Sequence, residues 1–292
     1  MSKTIVVLIL DGWGIGQNNT TNPIYMAQLK TIEYIKSHYP CGALEASGIA
    51  VGLPWGEPGN SKVGHLTIGA GRTITSDEVP ANTLSDVLAS HGKFQIRIAE
   101  TERYRHITYF FSGRKNEPNK NEYRILVPSQ NRAHPDTHPA LMTEEIGKRV
   151  IQAIEEGIDC VFSTIAAPDV IAHTGNFNAG IAACRAVDET IGAIVQTARA
   201  KNAAIIIVGD HGNIEQMRDQ KTGVPETKHN LNPVPFYLID PARERKKDAR
   251  QIVESEGQTV GVLADVAPTV LELMGIAQPK DMTGKSLLNK LK

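Results

Sequence analysis

The chain has 292 residues, 41% hydrophobic and 22% charged, ordinary globular usage that excludes disordered, collagen-like and coiled-coil classes and predicts a sizeable core. Lysine and arginine total 31 against 32 aspartates and glutamates, a formal charge of −1, so no global field draws nucleic acid or a membrane surface. The first apolar stretch, Ile5 to Leu10, is far shorter than the ~20 residues of a spanning helix and ends in Asp11. With one preceding lysine and no small-residue cleavage pattern it does not read as a signal peptide, and the expected location is cytoplasmic.

Thr4 to Leu10 is a continuous apolar run, which predicts a strand covered on both faces, and it stops at Asp11-Gly12-Trp13-Gly14. Asn22-Pro23 supplies a cap and first turn for a helix running to about His38. A second helix is predicted from Asn82 to near Gly92, followed by a strand from Phe94 to Ala99. The charged, asparagine-rich stretch from Arg114 to Asn121 reads as a solvated loop or hairpin connection. Thr143 caps a helix that closes at Gly157, Ile158 to Thr164 is the next strand, and Asn178 to about Lys201 is a long helix. Ala203 to Val208 is another fully apolar strand, ending in Gly209-Asp210-His211-Gly212-Asn213. Val234 to Ile239 follows, and Asp265 caps a last helix through about Met274.

Strands alternating with helices predict an α/β fold, a doubly wound, mostly parallel sheet with helices on both faces. Ligands of such sheets gather outside the carboxyl ends of the strands, where Asp11, Asp169 and the Asp210-His211 pair fall. The cysteines Cys41, Cys160 and Cys184 form no CxxC pair, so neither a disulfide framework nor a thiolate zinc site is predicted, and they read as small buried apolar groups.

Asp169 and His173 are four residues apart in Pro168-Asp-Val-Ile-Ala-His-Thr-Gly175, so one turn of helix can aim both at one point. Each candidate has a plain reading of its own: a helix cap for Asp169, a turn for Asp210-His211, a strand-end carboxylate for Asp11. His229 by itself is uninformative. Taken together, three acidic residues and three histidines at or past strand ends offer hard oxygen and imidazole ligands without thiolates, a mixture that suits Zn²⁺ or Mn²⁺. In Gly59-Asn-Ser-Lys-Val-Gly-His65, Ser61 lies between a glycine-led turn and a helix start. Its hydroxyl and the nearby N–H groups can there hold a phosphate oxygen, the alternative being a simple N-cap serine. No Gly-x-Ser-x-Gly elbow or Walker-type lysine loop occurs, which disfavours acyl transfer and P-loop chemistry.

Six segments carry a resemblance. They are Leu10-Asp-Gly-Trp-Gly14, Gly59-Asn-Ser-Lys-Val-Gly-His-Leu-Thr-Ile-Gly-Ala-Gly-Arg72, Ala99-Glu-Thr-Glu-Arg-Tyr104, Pro168 to Gly175, Asp210-His-Gly-Asn213 and Asn232-Pro-Val-Pro-Phe236. In this order the chain resembles the cofactor-independent (2,3-bisphosphoglycerate-independent) phosphoglycerate mutases of the alkaline phosphatase superfamily. The resemblance implies an alkaline phosphatase-like core holding two divalent metal ions, Mn²⁺ or Zn²⁺, with no organic cofactor. It puts one metal on Asp169, His173 and His229, and the other on Asp11, Ser61, Asp210 and His211, with Ser61 as a nucleophile that becomes phosphoserine. Arg103 falls where the family has a phosphate-binding lysine, and Asn60 beside the nucleophile is assigned with it to the substrate phosphate.

The departures bear on substrate. The mutases carry a second domain between the segments matching Gly69–Arg72 and Asn82–Leu84, and here only Thr73 to Ala81 joins them. The expectation is therefore a single metal-binding domain over residues 1–292 with a short linker at about 73–81. Lys62 stands where the family has an acidic residue, and Thr164, Ala167 and Ala172 replace its Asn, Asn and Gly. Without a lid, water becomes the acceptor, so the leading expectation is a hydrolase of a small phosphomonoester, a phosphorylated metabolite, acting through Ser61. The alternatives are an isomerase, interconverting 3- and 2-phosphoglycerate with a minimal site or a lid from a partner chain, and a non-catalytic metal-binding relative.

Overall fold

The apolar runs of the sequence become the inner strands of one mixed sheet. The structure, a computed structural model, describes residues 3–75, 77–130 and 133–291. Its first half contains β1 (Ile5–Leu10), α1 (Pro23–Ala27), α2 (Lys30–His38), β2 (Cys41–Glu45), α3 (Ser61–Ala70), α4 (Leu84–Ser90), β3 (Gln95–Glu100), α5 (Thr101–Arg105) and β4 (Glu122–Val127). The second half contains α6 (Thr143–Glu155), β5 (Cys160–Ile165), α7 (Ala167–Ala172), α8 (Phe177–Ala200), β6 (Ala204–Gly209), β7 (Val234–Ile239), α9 (Ala249–Gly257), β8 (Thr259–Val262) and α10 (Val266–Leu273). The strand order is β4-β3-β5-β1-β6-β7-β2-β8. β7 runs against both its neighbours, and every other pairing is parallel.

β1 lies between β5 and β6, with Ile5 opposite both Cys160 and Ala204. Alternation along it separates two cores. Val6, Leu8 and Leu10 pack with Ile32 and Ile35 of α2, Ile146 and Val150 of α6, and Val187 and Ile191 of α8. Ile5, Val7 and Ile9 pack on the other face with Ile68 of α3, Leu84 and Leu88 of α4, and Val270 and Leu271 of α10. Burial on both faces is the reason β1 reads as unbroken apolar sequence.

Several elements depart from the sequence expectation. The helix expected from Asn22 to His38 is two helices. Asn22 accepts from the Ile24 and Tyr25 amides as a cap should, but Gln28 takes a left-handed conformation (φ 54°) that ends α1. β2, β4 and β8 are short or irregular in pattern and do not stand out in the sequence. The Arg114–Asn121 stretch is a loop and no hairpin, because β4 pairs parallel to β3. Thr143 is the first residue of α6, which Met142 precedes as cap, and α8 starts one residue earlier than expected, at Phe177, with Asn176 as its cap. Asp265 precedes α10 without capping it, since its carboxylate accepts instead from the amides of Val262 (3.0 Å) and Lys285 (2.6 Å). The longest helix, α8, is amphipathic, and no helix among the described residues is long and apolar enough to cross a membrane.

Leu8 is fully buried at the centre of the sheet. Leu8→Ala should lower the free energy of unfolding by about 2–5 kcal/mol, measured by urea denaturation, and a loss under 1 kcal/mol would contradict the packing described.

Candidate functional site

The three central strands β5, β1 and β6 end side by side, and the chain leaving each carries an aspartate. Asp11 follows β1, Asp169 lies in α7 after β5, and Asp210 follows β6. All three are almost wholly buried. Two glycines allow them to approach. Gly12 has φ +67°, and a Cβ there would lie 2.7 Å from the Asp169 Cβ. A Cβ on Gly64 of α3 would lie 2.6 Å from the Asp210 carbonyl oxygen.

Asn60 caps α3, its Oδ1 accepting from the Val63 amide at 3.1 Å. Ser61 therefore occupies the first helical position with its hydroxyl uncommitted to the helix, so the simple cap reading does not hold for it. The hydroxyl donates to Asp11 Oδ1 at 2.8 Å and lies 3.1 Å from His211 Nε2. His211 Nε2 is 3.3 Å from Asp11 Oδ1 and 3.7 Å from Asp210 Oδ1. The ring of His211 stacks on that of His229 at 3.9 Å between centroids. Asp11, Ser61, Asp210 and His211, four of the seven expected metal ligands, thus meet in one place, with His229 against them.

A second group lies beside the first. His173 and His229 each present Nε2 to Asp169 at 3.2 Å, and the two nitrogens are 3.2 Å apart. Their Nδ1 atoms face the carbonyl oxygens of Thr227 (2.7 Å) and Gly59 (2.9 Å). A carbonyl accepts only, so Nδ1 carries the hydrogen and the Nε2 lone pairs turn toward the carboxylate. In the neutral rings this is a set of acceptors facing one another, which positive charge satisfies, either a divalent cation or the Nε2 proton with which a charged ring hydrogen-bonds Asp169. In the first group, Asp210 Oδ2 is buried without a hydrogen-bond donor of its own. It lies 3.1 Å from His65 Nδ1, which bonds to the Ser61 carbonyl. The ligand atoms of Asp169, His211 and His229, and those of Asp11, Asp210 and His211, each fall within 4.8 Å of one another. Donor chemistry and spacing both fit divalent cations without thiolate ligands.

The electrostatics are those of crowded buried carboxylates. Burial works against ionisation of Asp169, but hydrogen bonds from His173 and His229 and the charges of His211 and Arg103 outweigh it and hold its pKa well below the usual range. Burial also opposes the charge on Asp210, yet the pull of His211 and His65 brings it down to about 2. The hydrogen bond to Asp169 raises the pKa of His173. Arg103, expected at the substrate phosphate, is bound to the aspartates. Its Nε donates to Asp11 Oδ2 and its Nη2 to Asp169 Oδ2 at 2.5 Å, so one guanidinium spans the two groups as a shared cation.

Three further residues hold this arrangement and were not singled out in the sequence reading. Glu215, 1% exposed, accepts from the amides of Gly14 and Asn213 at 2.9 Å and from Asn232 Nδ2 at 2.9 Å. It ties together the loops that carry Asp11, Asp210-His211 and His229. Asn213 donates to Asp169 Oδ1 at 2.7 Å. His65 supports the Ser61 turn and meets Thr164 Oγ1 at 2.8 Å, which gives the Thr164 departure a structural partner. Asn213 and His65 sit inside quoted motifs, so their positions carried a signal, whereas nothing about the residue type or spacing marks Glu215.

Comparison with known proteins agrees with this geometry. A family model described as the Metalloenzyme superfamily matches residues 3–278. The 2,3-bisphosphoglycerate-independent phosphoglycerate mutase of Cereibacter sphaeroides is 42% identical over 217 residues, 74% of this chain and 40% of the relative. That of Pseudomonas aeruginosa is 44% identical over 208 residues, 71% of this chain and 38% of the relative. The chain thus spans about 40% of the length of the curated relatives it matches. Among solved structures, phosphoglycerate mutase from Leishmania mexicana superposes with a TM-score of 0.84 at 16% identity, covering 98% of this chain and 97% of that one. Alkaline phosphatase from the Antarctic bacterium TAB5 superposes with a TM-score of 0.59 at 11% identity, covering 95% of this chain and 99% of that one. The structural likenesses establish an alkaline phosphatase-type fold, and with the family match they lead to one conclusion: the chain belongs to the Metalloenzyme superfamily and is a relative of the 2,3-bisphosphoglycerate-independent phosphoglycerate mutases.

Proposed function

We propose that the chain transfers phosphoryl groups through a phosphoserine formed on Ser61, with a small phosphomonoester of the phosphoglycerate class as donor. The observation that carries the reading is the position of the Ser61 hydroxyl, 2.8 Å from Asp11 and 3.1 Å from His211, beside the Asp169-His173-His229 group. In this reading Asp11, Ser61, Asp210 and His211 hold one divalent cation and Asp169, His173 and His229 the other. Bound there, the cations would lower the hydroxyl pKa and offset charge on the phosphoryl oxygens.

The chain's own residues do the rest. Asp11 takes the hydrogen bond of the Ser61 hydroxyl and orients its lone pairs outward, and Asn60 fixes the first turn of α3 so that the oxygen faces the cleft. Lys62, exposed beside the nucleophile, supplies positive charge for an anionic substrate. Arg103 is close enough to exchange its carboxylate partners for a substrate phosphate once cations neutralise Asp11 and Asp169, and its planar fork suits two phosphoryl oxygens.

The acceptor separates two outcomes. The names of the relatives favour return of the phosphoryl group to the glycerate, which is mutase chemistry, over the simple hydrolysis that leads the sequence reading. Hydrolysis draws support only from the short Thr73–Ala81 connection and the 44% exposure of the His173 side chain. The deciding assay supplies 3-phosphoglycerate with Mn²⁺ or Zn²⁺ and follows 2-phosphoglycerate and inorganic phosphate together. Appearance of 2-phosphoglycerate without free phosphate is the mutase result, and free phosphate alone is the hydrolase result. Absence of both, and of turnover of any simple phosphate ester with either metal, would sink the proposal.

Ser61→Ala should abolish the phosphoserine detected by mass spectrometry and lower turnover on the order of a thousandfold or more, while cation binding persists through the remaining ligands. Glu215→Ala should weaken cation affinity by about 10–100-fold, as loss of outer support does at metal sites, measured by calorimetric titration. Glu215→Gln, which keeps an oxygen for the two backbone amides, should lose less, and equal losses would contradict a positioning role.

A further inference from the structure

Beside the start of β2, Lys247 is buried, 4% exposed, and no carboxylate pairs with it among the described residues. Its Nζ lies 3.1 Å from Cys41 Sγ and 3.2 Å from Ser255 Oγ. The Cys41 thiol in turn donates to Ser255 Oγ at 3.2 Å, and the Ser255 hydroxyl donates onward to the Gln251 carbonyl at 2.8 Å. A buried amine ordinarily takes a carboxylate partner, because desolvating it alone is costly. Here its neighbour is a nucleophilic sulfur. The segment is held in place by the main chain, where the Lys247 amide donates to the Ser37 carbonyl at 2.8 Å.

Cys41 is itself buried, 2% exposed, but it is the one of the three cysteines that borders open space. It lines a cavity of about 730 Å³ whose walls include Trp13, Lys36, Tyr237 and Glu256. Cys160 and Cys184 are fully buried away from that cavity, and burial pushes both thiols up, which leaves them inert. Cys41 begins β2, two strands along the sheet from β6 and level with Ile207, and it makes no contact with the Ser61 group.

We propose that Cys41 and Lys247 form a peroxide-sensitive pair that closes into a covalent Sγ–Nζ cross-link. In the first step the sulfur attacks hydrogen peroxide. An S–O bond forms as the O–O bond breaks, giving Cys41 sulfenic acid and water, with sulfur oxidised by two electrons and peroxide reduced. In the second step the Nζ lone pair attacks Sγ, and the hydroxyl leaves with an amine proton as a second water. The sum is a thiol, an amine and one peroxide giving a sulfenamide and two waters. A thiol reductant reverses it by attacking the S–N bond and freeing the amine.

The test uses the full chain, freed of reductant and treated with hydrogen peroxide, followed by non-reducing peptide mapping by mass spectrometry. The expected product joins the Cys41 and Lys247 peptides at a mass two hydrogens below their sum and reverts in dithiothreitol. Stable oxygen adducts on Cys41 with the Lys247 peptide free would overturn it. So would oxidation of Cys160 or Cys184 in preference to Cys41, or no oxidation at all. The decisive readout needs no variant. In Lys247→Met, or in Lys247→Arg if the first fails to fold, the cross-link should vanish and dimedone should trap the sulfenic acid. The cross-link is read from peptide masses and phosphoryl transfer from its products, so the two proposals fail independently.

Discussion

Three carboxylates buried at the ends of adjacent strands impose the constraint from which the site follows. Asp11, Asp169 and Asp210 are removed from water by the sheet that carries them, and each buried charge costs several kcal/mol unless it is compensated. The structure compensates them with imidazoles, backbone amides and one guanidinium. His65, His173, His211 and His229 all turn a ring nitrogen toward the aspartates, and Arg103 spans two of them. A cluster this acidic has few stable solutions, and bound cations are the one consistent with the family to which the chain belongs.

The surrounding shell serves the same end. Glu215 places a fourth buried carboxylate near the group but spends both its oxygens on donors from three loops. It fixes loop geometry where the aspartates gather charge. Gly12 and Gly64 leave out side chains whose Cβ atoms would strike Asp169 and Asp210. Ser61 reaches the cluster because Asn60 has taken over the helix cap. Each of these choices is local, and together they bring a hydroxyl against Asp11 in a buried corner that still opens to solvent through His173.

Much of this was legible in the sequence because the signals are strong and local. Apolar runs marked β1, β6 and β7 and a mostly apolar one marked β5, and the acid and histidine residues sit just beyond those strands or in the loop that leads into β7. β2, β4 and β8 were not legible. β4 alternates charged and apolar residues at a sheet edge, and β8 is four residues long, so neither carries a run that distinguishes it from loop. The break at Gln28 was hidden because a left-handed glutamine has no composition signature. Arg103 was placed by analogy at the substrate, whereas the nearest unmatched charges in the folded chain are Asp11 and Asp169. Glu215 could not be found from sequence, since its importance lies wholly in three partners far from it along the chain.

The central claim is that the converging groups form two cation sites side by side, sharing Ser61's surroundings. Anomalous diffraction from crystals grown with Mn²⁺ or Zn²⁺ addresses it directly. Two anomalous peaks are predicted, one bounded by Asp169, His173 and His229 and the other by Asp11, Ser61, Asp210 and His211, with the Arg103 guanidinium displaced from between the aspartates. A map without a peak at either cluster, with Arg103 still bridging Asp11 and Asp169 at saturating metal, would contradict it.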